Sequence, residues 1–201
     1  MKIGVLALQG AFVEHEKMLG NLGVSCVELR ERRDIQGIDA LVLPGGESTV
    51  QGKLLRELGM FGVLREEIRS GLPTLATCAG MILLAEHLAD DPVRHFATLP
   101  VTVRRNAYGR QLGSFTTTAP FKGIGPFTMT FIRAPIVEVV GAGVETLACV
   151  DGKTVAVRFG NQMALAFHPE LERDDRIHRL FLKSIQSYGA SRRSETSERQ
   201  R

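Results

Sequence analysis

The segment Leu75-Ala76-Thr77-Cys78-Ala79-Gly80 carries an apolar run straight into a turn of small residues, followed by an apolar helical stretch. A thiol in that setting has the surroundings of a nucleophile elbow, with Cys in the place of Ser. The nucleophile of such a turn sits on strained backbone, and its neighbours must be small enough for close approach. The usual pattern is G-x-C-x-G, and here Ala76 stands for the first glycine. A helix starting near Ala79 would aim its N-terminal N–H groups at the sulfur and favour thiolate over thiol. The alternative is an inert core thiol, the ordinary fate of a free cysteine. Cys26 and Cys149, inside apolar strand-like runs, are read as core thiols.

A cysteine nucleophile requires a base, and the base an orienting group. Ala164-Leu165-Ala166-Phe167-His168-Pro169-Glu170 supplies both. The apolar run reads as a strand that ends at His168, with Pro169 preventing its continuation. Residues i and i+2 of an extended chain project to one side. Glu170 can therefore hold the imidazole tautomer while His168 faces the thiol. Taken alone, H-P-E would read as a capping histidine beside a surface glutamate; the elbow gives it its catalytic sense. His15, His87, His95 and His178 are read as solvated or core-edge residues.

Pro44-Gly45-Gly46-Glu47-Ser48-Thr49 follows another apolar run. Its glycines let backbone N–H groups approach a ligand, and Ser48 or Thr49 can cap the next helix. Gly46 and the Ala79 N–H then suit the two halves of an oxyanion hole. A plain tight turn with a helix cap is the other reading. Arg133, at a strand end before Ala134-Pro135, can grip a carboxylate through a bidentate pair. Arg104 and Arg110, in the polar segment Arg104–Gln111, are read as solvated loop charges.

These groups need a scaffold. Ile3–Leu8, Val24–Leu29, Ala40–Leu43 and Thr74–Ala76 are short apolar runs that suit strands buried on both faces. Between them, Phe12–Leu22, Val50–Leu58 and Phe61–Ile68 have helical periodicity, and Met81–Leu88 follows the fourth run. The alternation predicts an α/β fold: a three-layer open sheet, mostly parallel. From Pro100 the pattern becomes more antiparallel, with strands at 100–105, 112–118, 127–132, 145–150, 153–159 and 163–167. A final helix over Asp174–Tyr188 packs Ile177, Leu180, Phe181 and Ile185 inward. Residues 1–188 read as one domain. Residues 189–201, polar throughout from Ser191, read as a disordered tail.

The 201 residues are 44% hydrophobic and 23% charged, with a net charge of +3, too small to argue for nucleic acid or an anionic membrane. Three cysteines without metal-ligand spacing point to a reducing compartment, and no run reaches a membrane span's length. The cytoplasm is the expected location. No metal and no cofactor is expected.

The motifs L-A-L-Q-G-A near the start, P-G-G-E-S-T at 44–49, T-C-A-G at 77–80, R-N-x-x-G-R-Q at 105–111, F-I-R-A-P at 131–135 and F-H-P-E at 167–170 occur in this order. Together they resemble the PdxT/SNO family of class I glutamine amidotransferases, the glutaminase subunits of pyridoxal 5′-phosphate synthase, over about residues 2–187. T-C-A-G and H-P-E are shared broadly among class I glutaminases. P-G-G-E-S-T and R-N-x-x-G-R-Q are specific to this branch. The resemblance implies a flavodoxin-like fold, with Cys78 as nucleophile, His168 as base and Glu170 as its orienter. It implies a glutamine site of Gly46, Glu47, Ser48, Arg105, Ile132 and Arg133. It also implies a synthase partner that combines ammonia with ribose 5-phosphate and glyceraldehyde 3-phosphate, in a large ring-shaped complex where docking activates the glutaminase. Three other readings compete: a cysteine peptidase or related hydrolase, a non-catalytic regulatory subunit, and a glutaminase serving another acceptor. The H-P-E pair, the intact triad and R-N-x-x-G-R-Q weigh against them in turn.

Overall fold

The computed structural model describes residues 1–89, 91–108 and 113–199; of residues 187 and 189–199 it describes the backbone alone. Five parallel strands form one half of the sheet. They are β1 (Lys2–Leu6), β2 (Ser25–Leu29), β3 (Ala40–Leu43), β4 (Thr74–Thr77) and, late in the chain, β12 (Gln162–Leu165), in the order β2-β1-β3-β4-β12. Every residue of β3, β4 and β12 is buried. That is why these segments read as unbroken apolar runs rather than alternating ones.

α1 (Phe12–Asn21) joins β1 to β2 in one direction along the sheet. α2 (Ser48–Glu57) and α3 (Phe61–Arg69) join β3 to β4 in the other. Right-handed crossovers that run in opposite directions place their helices on opposite faces, giving three layers. The 2-1-3-4 order reverses direction between β1 and β3. Ligands in such sheets bind beyond the carboxyl ends of the strands at that reversal.

The rest of the sheet is antiparallel apart from one parallel pair, Ala85–Leu88 beside Leu99–Arg104. β10 (Glu145–Val150), β11 (Lys153–Phe159), β7 (Ser114–Phe121) and β8 (Gly125–Ile132) extend the sheet from β12 as β12-β11-β10-β7-β8. A branch leaves β11 through β9 (Ile136–Val140) to β6 (Leu99–Arg104) and β5 (Ala85–Leu88).

Three segments differ from the sequence reading. The helix expected over Met81–Leu88 is α4 (Ala79–Leu84), and Ala85–Leu88 is instead a strand beside β6. Its helical periodicity had no solvent face to reflect, since all six residues of α4 are buried; pairing with β6 decides the rest. β9 was not anticipated, although its β-branched residues favour a strand. α5 (Arg176–Arg199) does not stop near Tyr188: its backbone continues through the polar segment expected to be unstructured. No proline interrupts that segment, and a helix nucleated by docking propagates more easily than it starts. Residues 200 and 201 lie outside the described residues. Ile177, Phe181 and Ile185 anchor the helix, and burial of each stabilises it by about 1.5–3 kcal/mol. Among the described residues no helix is long and apolar enough to cross a membrane.

Candidate active site

Cys78 ends β4 and begins α4 with φ 49° and ψ −102°, a backbone conformation that L-residues rarely hold. Gly80, the second residue of α4, packs so closely on β3 that an added Cβ would collide with the Leu43 carbonyl. The elbow is thus fixed by α4 resting on β3, and the small residues after Cys78 are a packing requirement. The thiol is 7% exposed, and Sγ lies 3.9 Å from the Ile132 carbonyl oxygen at the end of β8. Non-glycine residues with positive φ include Cys78, Asn106 and Arg133, and these three border the same cleft. Strain concentrates where a site needs fixed geometry.

His168 and Glu170 converge by a different route from the one expected. β12 ends at Leu165, and His168 caps a 3-10 turn formed by Pro169–Leu171. It is this turn, not strand alternation, that brings the carboxylate back to the ring. His168 Nδ1 donates to Glu170 Oε1 over 2.7 Å, and the Glu170 side chain is fully buried. The His168 N–H donates to the Thr130 carbonyl and fixes the ring's root. Burial alone would lower the His168 pKa; its interactions with Cys78 and Glu170 outweigh burial and push it up to about 10. The ring also lies flat against Gly45, where any Cβ would overlap Cε1.

The cleft holds about 310 Å³. Cys78, His168, Gly46, Glu47, Ser48, Arg105, Ile132 and Arg133 all line it, so the residues expected to act together meet in one place. Ala79 lies beneath, fully buried at the first position of α4. The α4 helix spans only six residues, so its field at the sulfur is that of its first few N–H groups rather than a long macrodipole. Ser48 and Thr49 do not cap α2: Glu47 is the capping residue and makes no side-chain cap, while Ser48 is buried in the first turn. The loop is held otherwise. The Gly45 N–H donates to Thr77 Oγ1 at 3.0 Å, and the Glu47 N–H donates to Gln9 Oε1 at 2.7 Å.

Arg133 and Glu47 form a 2.6 Å ion pair across the cleft, with the arginine side chain 69% exposed. Arg105 is tied to Asp91 at 2.9 Å. Arg104, read as a loop charge, is instead the last residue of β6 and pairs with Glu138 on the neighbouring β9. Residues 109–112, including Arg110 and part of R-N-x-x-G-R-Q, lie outside the described residues. Cys149 proves exposed rather than buried, because its side of β10 faces solvent, and Cys26 is half-buried. Among the described residues no group of His, Cys, Asp and Glu is placed to hold a metal ion.

Sequence reasoning missed two features. Gln9, with Gly10 and Ala11, lines the cleft from the end of β1, and Gln51 Nε2 donates to its carbonyl at 2.9 Å. A polar residue directly after a buried strand at the sheet's reversal point was a usable signal. His15 and His178 are not solvated or core-edge but completely buried behind Glu170. Nothing in their local sequence marks them, since their partners are distant in the chain.

A doubly wound sheet with a cysteine elbow after β4 and a histidine–glutamate pair after β12 defines the class: this is the class I glutamine amidotransferase fold. A solved structure described as a glutamine amidotransferase superimposes with a TM-score of 0.88 at 44% identity, covering 92% of this chain and 98% of that one. The model of the SNO glutamine amidotransferase family matches residues 5–187, and the chain belongs to that family. It is 65% identical over 186 residues to the pyridoxal 5′-phosphate synthase subunit PdxT of Desulfitobacterium hafniense strain Y51, covering 92% of this chain and 94% of the relative. It is 54% identical to the protein of the same name from Methanocorpusculum labreanum, covering 92% and 98%.

Proposed function

We propose that the chain hydrolyses L-glutamine to glutamate and ammonia through Cys78, His168 and Glu170, and passes the ammonia to a synthase subunit that makes pyridoxal 5′-phosphate. The observation that carries this is the buried 2.7 Å contact from His168 Nδ1 to Glu170, with the other side of the ring turned to a cysteine on a strained elbow.

In this reading His168 already holds the proton given up by the thiol, and Sγ attacks the side-chain amide carbon of glutamine. The oxyanion is met by the N–H groups of Gly46 and Ala79. His168 returns the proton to the departing nitrogen, ammonia leaves, and a γ-glutamyl thioester remains. Water then attacks the thioester with His168 as base, releasing glutamate and the thiol. Glu170 keeps the imidazole in one tautomer and stabilises its cation. Glu47, Ser48, Arg105, Ile132 and Arg133 bind the substrate's other end. The opposite charges of Glu47 and Arg133 match an α-ammonium and an α-carboxylate.

The partner reading is supported by the relatives named as subunits of pyridoxal 5′-phosphate synthase. It extends to ribose 5-phosphate and glyceraldehyde 3-phosphate as the partner's substrates, to a ring-shaped hetero-oligomer, and to a cytoplasmic setting. The test is ammonia release from glutamine by the complex with the synthase. Cys78→Ala should lose at least about 10³-fold and keep its thermal unfolding temperature. His168→Asn should lose nearly as much, and Glu170→Ala less, since proton transfer contributes about 10²–10⁴-fold. Near-normal turnover by Cys78→Ala would overturn the assignment.

A further inference from the structure

Glu170 Oε2 faces a second buried histidine. His15 Nε2, on α1, lies 3.3 Å from it and 3.2 Å from Thr77 Oγ1, the hydroxyl that receives the Gly45 N–H. His15 Nδ1 lies 3.1 Å from His178 Nε2 on α5, and both rings have no exposure. We propose that His15 is a positioning residue for the glutaminase reaction, its proton fixed on Nε2 by His178 so that it steadies the Glu170 carboxylate and the Gly45–Glu47 loop together. The proposal rests on the reading of Glu170 as the group that orients His168.

The proton positions follow from what each ring nitrogen meets. If His15 carried its proton on Nδ1, it would donate to His178 Nε2. His178 would then hold an N–H on Nδ1, a buried atom with no hydrogen-bond partner. The bare Nε2 of His15 would also point its lone pair at a carboxylate oxygen. Both arrangements are costly. In the opposite tautomer, His178 Nε2–H donates to His15 Nδ1, and His15 Nε2–H is presented to Thr77 and Glu170. Among the ring nitrogens the unpartnered atom is then an acceptor, His178 Nδ1, while Glu170 Oε2, which has no hydrogen-bond partner, has His15 Nε2 3.3 Å away.

Charge points the same way. Burial lowers the pKa of His15, with Glu170 and Glu14 opposing and His168 adding to the effect. Burial and His15 push that of His178 down to about 3 against Glu170 and Asp175. The pair is therefore neutral at physiological pH. A neutral donor supports the carboxylate without competing as a second cation for the charge that His168 uses. Because Thr77 precedes Cys78 and anchors Gly45, one ring touches the supports of nucleophile, base and oxyanion loop.

The test compares His15→Leu, which removes the donor, with His15→Gln, whose amide nitrogen can reach the place of Nε2. Both are assayed in the complex with the synthase across pH. His15→Leu should lose about 10- to 100-fold in kcat, because the buried Glu170 oxygen loses the polar ring nitrogen that faces it, with KM unchanged. Its acid limb should move to higher pH, because a carboxylate without its donor is protonated more readily. His15→Gln should stay within about threefold of the parent, as a retained bond implies. In a Glu170→Ala background His15→Leu should add little further loss. Equal kcat and pH profiles for the Leu and Gln variants would overturn the proposal. So would an undiminished effect of His15→Leu without Glu170. If His15→Leu does not fold, His178→Leu is read instead: a smaller loss with the same acid-limb shift supports the proposal, and an unmoved limb overturns it. If Glu170→Ala itself retains full activity, Glu170 does not orient His168 and this proposal falls with that role; if the parent complex releases no ammonia from glutamine, it is the glutaminase reading that fails.

Discussion

At the scale of single residues, the site is a set of close contacts that leave little tolerance. Gly45 illustrates this better than Cys78, His168 and Glu170 do. Its lack of a side chain is what lets the His168 ring lie against the loop, and its N–H bond to Thr77 keeps that loop beside Cys78. Gly45→Ala would drive a methyl into Cε1 of His168 and displace the ring from the thiol. A displacement of that kind is expected to cost about 10²-fold in kcat with little change in the urea midpoint. Steady-state kinetics and urea unfolding on one preparation check this; unchanged kcat would show that ring and loop move independently. The residue scale is also where sequence reading did best and worst. Cys78, His168, Glu170 and the Gly46–Ser48 loop were legible because each follows a buried strand, at the end where a doubly wound sheet places ligands, whereas Arg105 and Ile132 were named only through the family resemblance. His15, His178 and Gln9 were not, because their meaning comes from contacts over long sequence separations, which spacing does not encode.

At the scale of elements, the parallel strands were legible because burial on both faces leaves a continuous apolar run, as in Ala40–Leu43 and Thr74–Thr77. The end of α4 and the start of β5 were not separable, since α4, buried all round, carries no periodicity to distinguish helix from strand. The 3-10 turn after His168 was also unread, although Pro169 signalled the end of the strand. α5 does more than cover the sheet: it carries His178 into the space behind Glu170. An unfolded chain protonates histidine near 6.5, whereas folded His178 resists protonation to about 3. Between those values the unfolded state binds more protons, so stability falls as pH falls through the window. His178→Leu should show a shallower loss of stability from pH 6.5 toward 3 than the parent. Urea midpoints measured at several pH values test this; parallel curves would mean that His178 is already charged in the fold.

At the scale of the molecule, the cleft is lined from both halves of the sheet: Cys78 and the Gly45–Glu47 loop from the parallel half, Ile132 and Arg133 from the end of antiparallel β8. The Glu47–Arg133 pair spans the two across the cleft. On the proposed function, docking of the synthase is expected to raise the glutaminase rate by about 10²–10³-fold, the worth of one oxyanion donor. That requires a preference of only about 3–4 kcal/mol for the competent loop. A rate independent of added synthase would mean a constitutive glutaminase. The most direct test of the central claim is covalent trapping of the nucleophile. The protein, with synthase present, is treated with an electrophilic glutamine analogue and the adduct is mapped by peptide mass spectrometry. A single adduct on Cys78, suppressed by excess glutamine and absent in Cys78→Ala, is the expected result. Labelling of the exposed Cys149 or of Cys26 in its place, or labelling of Cys78 that glutamine does not suppress, would contradict it.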